Sequence, residues 1–447
     1  MKPSIPKGTR DFGPVEVRKR NYIFDTIRQV FIQFGFEPIE TPVLENLSTL
    51  TGKYGDEGDQ LLFKILNNGD FLSKANEEAL AAKDSKKLLS SISKRGLRYD
   101  LTVPFARFVV MHQNDLNFPF RRYQIQPVWR GDRPAKGRYQ EFYQCDADIV
   151  GSTSLMNEVE LVQIYDQVFK ELKIPVEIKV NNRKILAGLA EVAGISDKFN
   201  DMAVAIDKLD KIGIDGVKNE LANRSISSNA IETILKVLET KELGRVSEIL
   251  KDSEIGQKGI EELRFFHKYL DLQGTENEVK FDCTLARGLS YYTGCIFEVK
   301  AIGIQMGSIG GGGRYDDLTG VFGLKNVSGV GVSFGADRIY DVMLEMDIFP
   351  DHVNDSSDLL LVALDSESHL HCFSALNKLR KSGIKAILYP EPAKLKKQMK
   401  YANGIKVPYV ALVGSQEMET NVFNLKNMTS GEEQKVSLEE LINITKV

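Results

Sequence analysis

Between Pro119 and Val150 the chain gathers residues suited to holding an anionic substrate, in the run PFRRYQIQPVWRGDRPAKGRYQEFYQCDADIV. Period two puts Gln124, Gln126 and Arg130 on one side of the first arm, and Tyr123, Ile125 and Trp129 on the other. On the second arm Phe142, Gln144, Asp146 and Asp148 share a face, with Tyr143, Cys145, Ala147 and Ile149 opposite. Each arm has an apolar side for a core and a polar side for a ligand. The intervening loop carries Arg133, Lys136 and Arg138 against a single acid, Asp132. A guanidinium fork matches phosphate and carboxylate oxygens bidentately. A plain solvated hairpin has no use for an arginine, an aromatic, an amide and carboxylates in this order.

Other blocks carry polar groups at meaningful spacing. In Leu97-Arg-Tyr-Asp100-Leu101-Thr102-Val-Pro, a carboxylate and a hydroxyl at i and i+2 can face one ligand from a strand. The same run also reads as a helix start, with Thr102 as cap and Pro104 in the first turn. Arg287-Gly-Leu-Ser290-Tyr291-Tyr292 joins a permanent cation to two phenols. Gly310-Gly-Gly-Gly-Arg314-Tyr315-Asp316 fits neither a dinucleotide fingerprint nor a P-loop, and by default reads as a turn. Gly329 to Arg338 reads as a small-residue strand ending at Gly335 and opening a helix. Arg338 then falls in the first turn, where backbone N–H groups favour anions.

The elements that must position these groups can be read in outline. Residues 16–34 predict an amphipathic helix through Ile23, Phe24, Ile27, Val30, Phe31 and Phe34, stopped at Gly35. Pro38 and Pro42 fix an extended segment after it. Residues 67–95 read as an exposed loop plus helix. Residues 180–272 read as helical, with Gly194, Gly213, Gly244 and Gly256 as breaks. After a linker at 349–357, LLLVAL, AILYP and PYVALVG alternate with helical patterns, a compact α/β unit over 358–447.

At 447 residues the chain holds two to three domains. Hydrophobic content of 42% and charged content of 27% are those of a globular protein, and no apolar run is long enough for a membrane span. The start resembles no signal peptide, and the four cysteines have no CxxC spacing. These features predict a reduced, cytoplasmic setting with no zinc site. The His369–His371 pair reads as surface rather than metal ligands. A net charge of −4 excludes a uniformly basic protein, but not local RNA-binding patches. Ser356 to Val447 carries 12 Lys/Arg against 10 Asp/Glu, with four lysines in KLKKQMK, 394–400.

The hairpin string WRGDRPAKGRYQEFYQCDADIVG resembles the second signature motif of class II aminoacyl-tRNA synthetases, and specifically that of histidyl-tRNA synthetases. The helix–strand–proline run near the start resembles their first motif, and Gly329–Arg338 the third. The Arg287–Tyr292 block resembles one peculiar to the histidyl family. The resemblance spans most of the chain. It implies an α+β fold: a class II antiparallel sheet with surrounding helices, split by a helical insertion, followed by an anticodon-binding domain. Its implied boundaries are 1–179 and 273–348 for the catalytic domain, 180–272 for the insertion and 358–447 for the anticodon domain.

The resemblance also implies roles. Arg130 and Arg287 are the expected catalytic cations at the ATP α-phosphate, where many relatives use a metal. Asp100, Leu101, Thr102, Arg130, Gln144, Asp148, Arg287, Tyr291 and Tyr292 are implied in histidine binding. Gln144, Asp148 and Tyr292 are the main candidates for the imidazole. Arg130, Asp132, Arg138, Tyr139, Phe142 and Arg338 are implied for ATP, and Arg133, Lys136, Lys394 and Lys397 for tRNA. The first-motif resemblance implies a homodimer, and magnesium is expected to arrive with ATP. Asp132 stands where many class II enzymes carry Glu, and Ser290 where the family commonly has Asp. The implied activity is ATP-dependent ligation of histidine to its tRNA through an adenylate. The alternative is a regulatory paralogue that binds histidine without charging tRNA. Such proteins usually lose the motif arginines and the terminal domain, both of which are kept here.

Overall fold

The computed structural model describes residues 2–52, 55–286, 292–354 and 357–445. They divide into two compact units, Met1–Ile348 and Phe349–Val447.

The first unit is built on an eight-stranded sheet. In chain order its strands are β1 (Glu37–Pro38), β2 (Phe120–Trp129), β3 (Glu141–Val150), β4 (Val176–Asn182), β5 (Glu278–Phe281), β6 (Cys295–Ala301), β7 (Gly310–Tyr315) and β8 (Gly329–Gly335). In space they run β1-β2-β3-β8-β7-β6-β4-β5. The two edge pairs, β1 with β2 and β4 with β5, are parallel, and the inner pairs are antiparallel. In the central ladder Gln144 lies opposite Gly335, Asp146 opposite Ser333 and Asp148 opposite Gly331.

One face of this sheet is sealed by helices α1 (Pro14–Gln33) and α3 (Met156–Glu171). Ile23, Ile27, Val30 and Phe31 of α1 are buried at helical spacing. The Phe31 ring lies 5.6 Å from Tyr123 and 5.8 Å from Phe334. Tyr165 of α3 approaches Phe334 at 4.7 Å. Burying each such side chain contributes roughly 1.5–3 kcal/mol. Cys145, Ala147 and Ile149 are fully buried, as expected for the apolar side of the second arm. The opposite face, with Gln144, Asp146, Asp148 and Ser333, is therefore left for polar work. Two further helices flank the site, α2 (Thr102–Met111) and α4 (Ala336–Met346).

The structure corrects three local expectations. The four glycines from Gly310 form no turn but the strand β7. Gly256 and Gly244 lie inside helices, Glu254–Gln273 and Leu243–Ile249. A Cβ on Gly188 would fall 2.5 Å from the Gly256 Cα, so Gly256 serves close helix packing rather than a break. Asp100, not Thr102, bonds the start of α2: its Oδ1 accepts from Val103 N at 3.1 Å.

The second unit has a five-stranded sheet, in the order Ala386–Leu388, Leu359–Ala363, Tyr409–Val413, Phe423–Asn427, Glu433–Val436. The first two pairings are parallel and the last two antiparallel. Every residue of Leu359–Ala363 is buried. Leu359 and Leu361 face Cys372, Leu376 and Leu379, while Leu360 and Val362 face Ala402 and Val407. A central strand covered on both faces explains its uninterrupted apolar run.

Candidate active site

The segment before α2 is pinned to the sheet by Arg98, whose side chain is fully buried. Its Nε donates to Pro127 O at 2.8 Å, and Nη1 donates to Thr41 O at 2.7 Å and Gln126 Oε1 at 3.0 Å. Burial lowers its pKa to about 10, leaving it a cation at neutral pH. Trp129 N closes the joint by donating to Arg98 O at 3.0 Å. Asp100 and Thr102 thereby come beside the polar face of the β2–β3 hairpin.

The result is an open cleft with a cavity volume of about 240 Å³. Asp100, Thr102, Gln144 and Tyr292 are in its wall, together with Arg130, Asp132, Arg138, Tyr139, Phe142 and Arg338. The Arg130 Nε donates to Tyr99 O at 3.1 Å. Its guanidinium lies 4.3 Å from the Tyr99 ring centroid and 5.1 Å from that of Phe142. Gln144 is nearly buried; its Nε2 donates to Ser333 Oγ at 2.7 Å, and its Oε1 has no partner among the described residues. Arg338 Nε donates to Gly137 O at 2.7 Å and its Nη1 to Ser308 O at 2.6 Å, joining α4 to the hairpin loop and to the approach of β7. Tyr139 donates to Asp341 Oδ2 at 2.6 Å, and burial first, then this bond, raises its pKa to about 12.

Beneath this surface is a buried charged layer. Asp148 is not in the cleft wall. Its Oδ2 faces Arg122 Nη2 at 2.7 Å and its Oδ1 accepts from Tyr315 Oη at 2.6 Å. A Cβ on Gly331 would fall 1.9 Å from Asp148 Oδ1, so only glycine leaves room for that carboxylate. Burial pushes the Asp148 pKa up, against the pull of Arg122. Asp146, also buried, is pushed up to about 7, by burial and then by Asp148 and Asp100, against Arg122. Two carboxylates around one buried guanidinium cannot both ionise cheaply.

Among the residues expected from sequence, Leu101 is fully buried and does not reach the cleft. Arg133 and Lys136 are exposed, and Lys136 pairs with Glu345 at 2.7 Å. Arg287 and Tyr291 lie outside the described residues. Lys394 and Lys397 are exposed in the second unit, with Lys397 Nζ 3.2 Å from Glu391. Sequence reasoning missed Ser308, Ile309, Ser333 and Asp337 as wall residues. Ser333 had a signal: period two in Gly329–Gly335 puts it on the face of Gly331 and Gly335.

This sheet, its antiparallel centre and an arginine–aromatic hairpin at the cleft are those of a class II aminoacyl-tRNA synthetase. The model of the histidyl-tRNA synthetase family matches residues 70–339, and that of the anticodon binding domain matches 358–446. The chain is 55% identical to a histidine–tRNA ligase of Phocaeicola vulgatus, covering 100% of this chain and 99% of that one. It is 57% identical to one from Porphyromonas gingivalis, covering 97% of each. A crystal structure of histidyl-tRNA synthetase from Nostoc superposes with a TM-score of 0.84 at 30% identity, covering 100% of this chain and 99% of that one. The chain belongs to the histidyl-tRNA synthetase family.

Proposed function

We propose that the chain ligates histidine to its cognate tRNA in two displacements. The histidine carboxylate attacks the α-phosphate of ATP, releasing pyrophosphate. A ribose hydroxyl of the terminal adenosine then attacks the activated carbonyl and releases AMP. One observation carries the reading: Arg130 shares a cleft with an acid–hydroxyl–amide set and with an aromatic–guanidinium set.

Asp100, Thr102 and Gln144 are acceptors suited to the N–H groups of histidine, with Tyr292 beside them. Phe142 offers a face to adenine, and Arg138 and Arg338 offer charge to the β- and γ-phosphates. Arg130 then falls at the junction, where carboxylate and α-phosphate meet. The reaction needs little proton transfer in its first step. Holding two anions in line and neutralising charge as pyrophosphate leaves supplies the catalysis, which is the work of fixed guanidinium groups. Arg287 is the second cation by resemblance. The buried Arg122–Asp148–Tyr315 layer supports the floor, and any reading of the imidazole by Asp148 acts from that depth.

A pocket that pairs both imidazole nitrogens rejects apolar amino acids strongly, because its own groups go unpaired with them. Magnesium enters as part of the MgATP substrate. The 358–446 unit is proposed to read the anticodon, with Lys394 and Lys397 toward phosphate and Arg133 and Lys136 toward the acceptor end. We place the enzyme in the cytoplasm as a homodimer. The test is pyrophosphate exchange with each amino acid in turn, then charging of bulk tRNA. Exchange with histidine alone and charging of one acceptor species support the reading; exchange without charging would return the paralogue.

A further inference from the structure

The segment ahead of α1 is strapped onto the cleft. Gln140 N, at the end of the hairpin loop, donates to Gly8 O at 2.8 Å. Gly8 has φ +78° and sits so close that a Cβ there would lie 2.6 Å from Gln140 Cγ. Two residues further on, the Arg10 guanidinium lies 3.4 Å from the centroid of the Tyr139 ring. It pairs with Asp337 and reaches Asp341 Oδ1 at 3.6 Å. Asp337 also takes Arg20 Nη1 and, at 2.8 Å, the backbone N–H of Tyr143. Tyr139 in turn is tied to Asp341. Tyr139 and Asp337 are both in the cleft wall that carries Arg138 and Arg338.

The electrostatics of this wall are mixed. Asp337 and Asp341 open α4 one turn apart, beside Arg338. A polyphosphate approaching Arg138 and Arg338 meets Asp337 in the same wall and feels the charge of Asp341 one turn further along α4. Arg20 pairs with Asp337, whereas Arg10 spans both acids. Removing Arg10 makes the wall one charge more negative and takes away the plate against which the Tyr139 ring stacks.

We propose that Arg10 is a positioning residue for the nucleotide triphosphate, holding Tyr139 in the wall and masking Asp337 and Asp341 so that the Arg138–Arg338 end attracts phosphate. This rests on the reading of that end as the ATP site.

The experiment uses the full chain, with Arg10→Ala and Arg10→Lys compared with the native protein in histidine-dependent pyrophosphate exchange. ATP and histidine are titrated separately at low and high salt. Arg10→Ala should raise the ATP KM about tenfold, the size of a cation–π contact plus a partly screened charge, and leave the histidine KM within about twofold. Arg10→Lys should recover part of the loss, since it restores charge without the stacking plane. The gap between the alanine variant and the native protein should narrow at high salt, because repulsion by the uncovered acids is screened. A merely structural role would raise both KM values together and show no such salt dependence. An unchanged ATP KM, or an equal rise for both substrates, overturns the proposal. If Arg10→Ala does not fold, the lysine variant carries the same comparison. Native protein inactive in histidine-dependent exchange would remove the ATP site and this inference with it. Active native protein with indifferent Arg10 variants would remove the inference alone.

Discussion

Replacing Gln144 with alanine tests the histidine end of the cleft directly. Ser333 Oγ holds the Gln144 Nε2 at 2.7 Å, which fixes the carboxamide so that Oε1 is the open acceptor. That atom is buried without a partner among the described residues, so a bound N–H of histidine completes it. Leaving the bound N–H without its buried acceptor costs about 1–3 kcal/mol, so Gln144→Ala should raise the histidine KM roughly five- to a hundredfold. The ATP KM should stay within about twofold, because none of the groups proposed to hold ATP is altered. Ser333→Ala keeps the carboxamide but frees it to rotate, and should give a smaller rise of the same kind. The assay is histidine-dependent pyrophosphate exchange with each substrate titrated at saturation of the other. Equal rises for ATP and histidine, or no rise in either, would refute the division of the cleft argued above.

Four further outcomes are expected. Arg314 meets the fully buried Glu158 through Nε and Nη2, and donates to Ser328 Oγ at 2.6 Å; Arg314→Met strands that carboxylate and should cost roughly 3–5 kcal/mol in urea unfolding, with most of it recovered by adding Glu158→Leu. Asp146, whose folded pKa of about 7 exceeds its unfolded value, contributes stability that is fully present below the unfolded carboxylate range at about pH 4 and is lost as pH rises to about 7. Asp146→Asn should therefore flatten the decline in unfolding free energy between about pH 4 and 7, and an unchanged slope would count against the buried charge layer. Because the second unit has its own two-sided core, a chain ending near Asp355 should retain exchange but lose most tRNA charging. Replacing Lys394, Lys396, Lys397 and Lys400 with Gln should weaken tRNA binding and reduce its salt slope, and full binding with an unaltered slope would release these lysines from any phosphate role.

The elements that create the site are local, and the sequence by itself determined them. Alternation along 141–150 separates Phe142 and Gln144 from Cys145 and Ala147, because strand period is set by backbone geometry alone. The strand–Gly335–helix transition sets Arg338 in the first turn of α4 for the same reason. What the pattern could not decide was depth. Gln144 and Asp148 share a face, yet one reaches the cleft and the other is spent on Arg122 and Tyr315, since depth depends on which strands lie alongside. Nor could it place the glycine run in the middle of a sheet, because the reason for those glycines is the neighbouring strands and Tyr165, not their own backbone. The partners that hold the site are far apart in the chain: Gln144 and Ser333 by 189 residues, Arg10 and Asp337 by 327. Residue type and spacing carry what a few neighbouring residues can enforce. Contacts that close loops of this length exist only once the sheet has assembled, and so only the tertiary structure decided them.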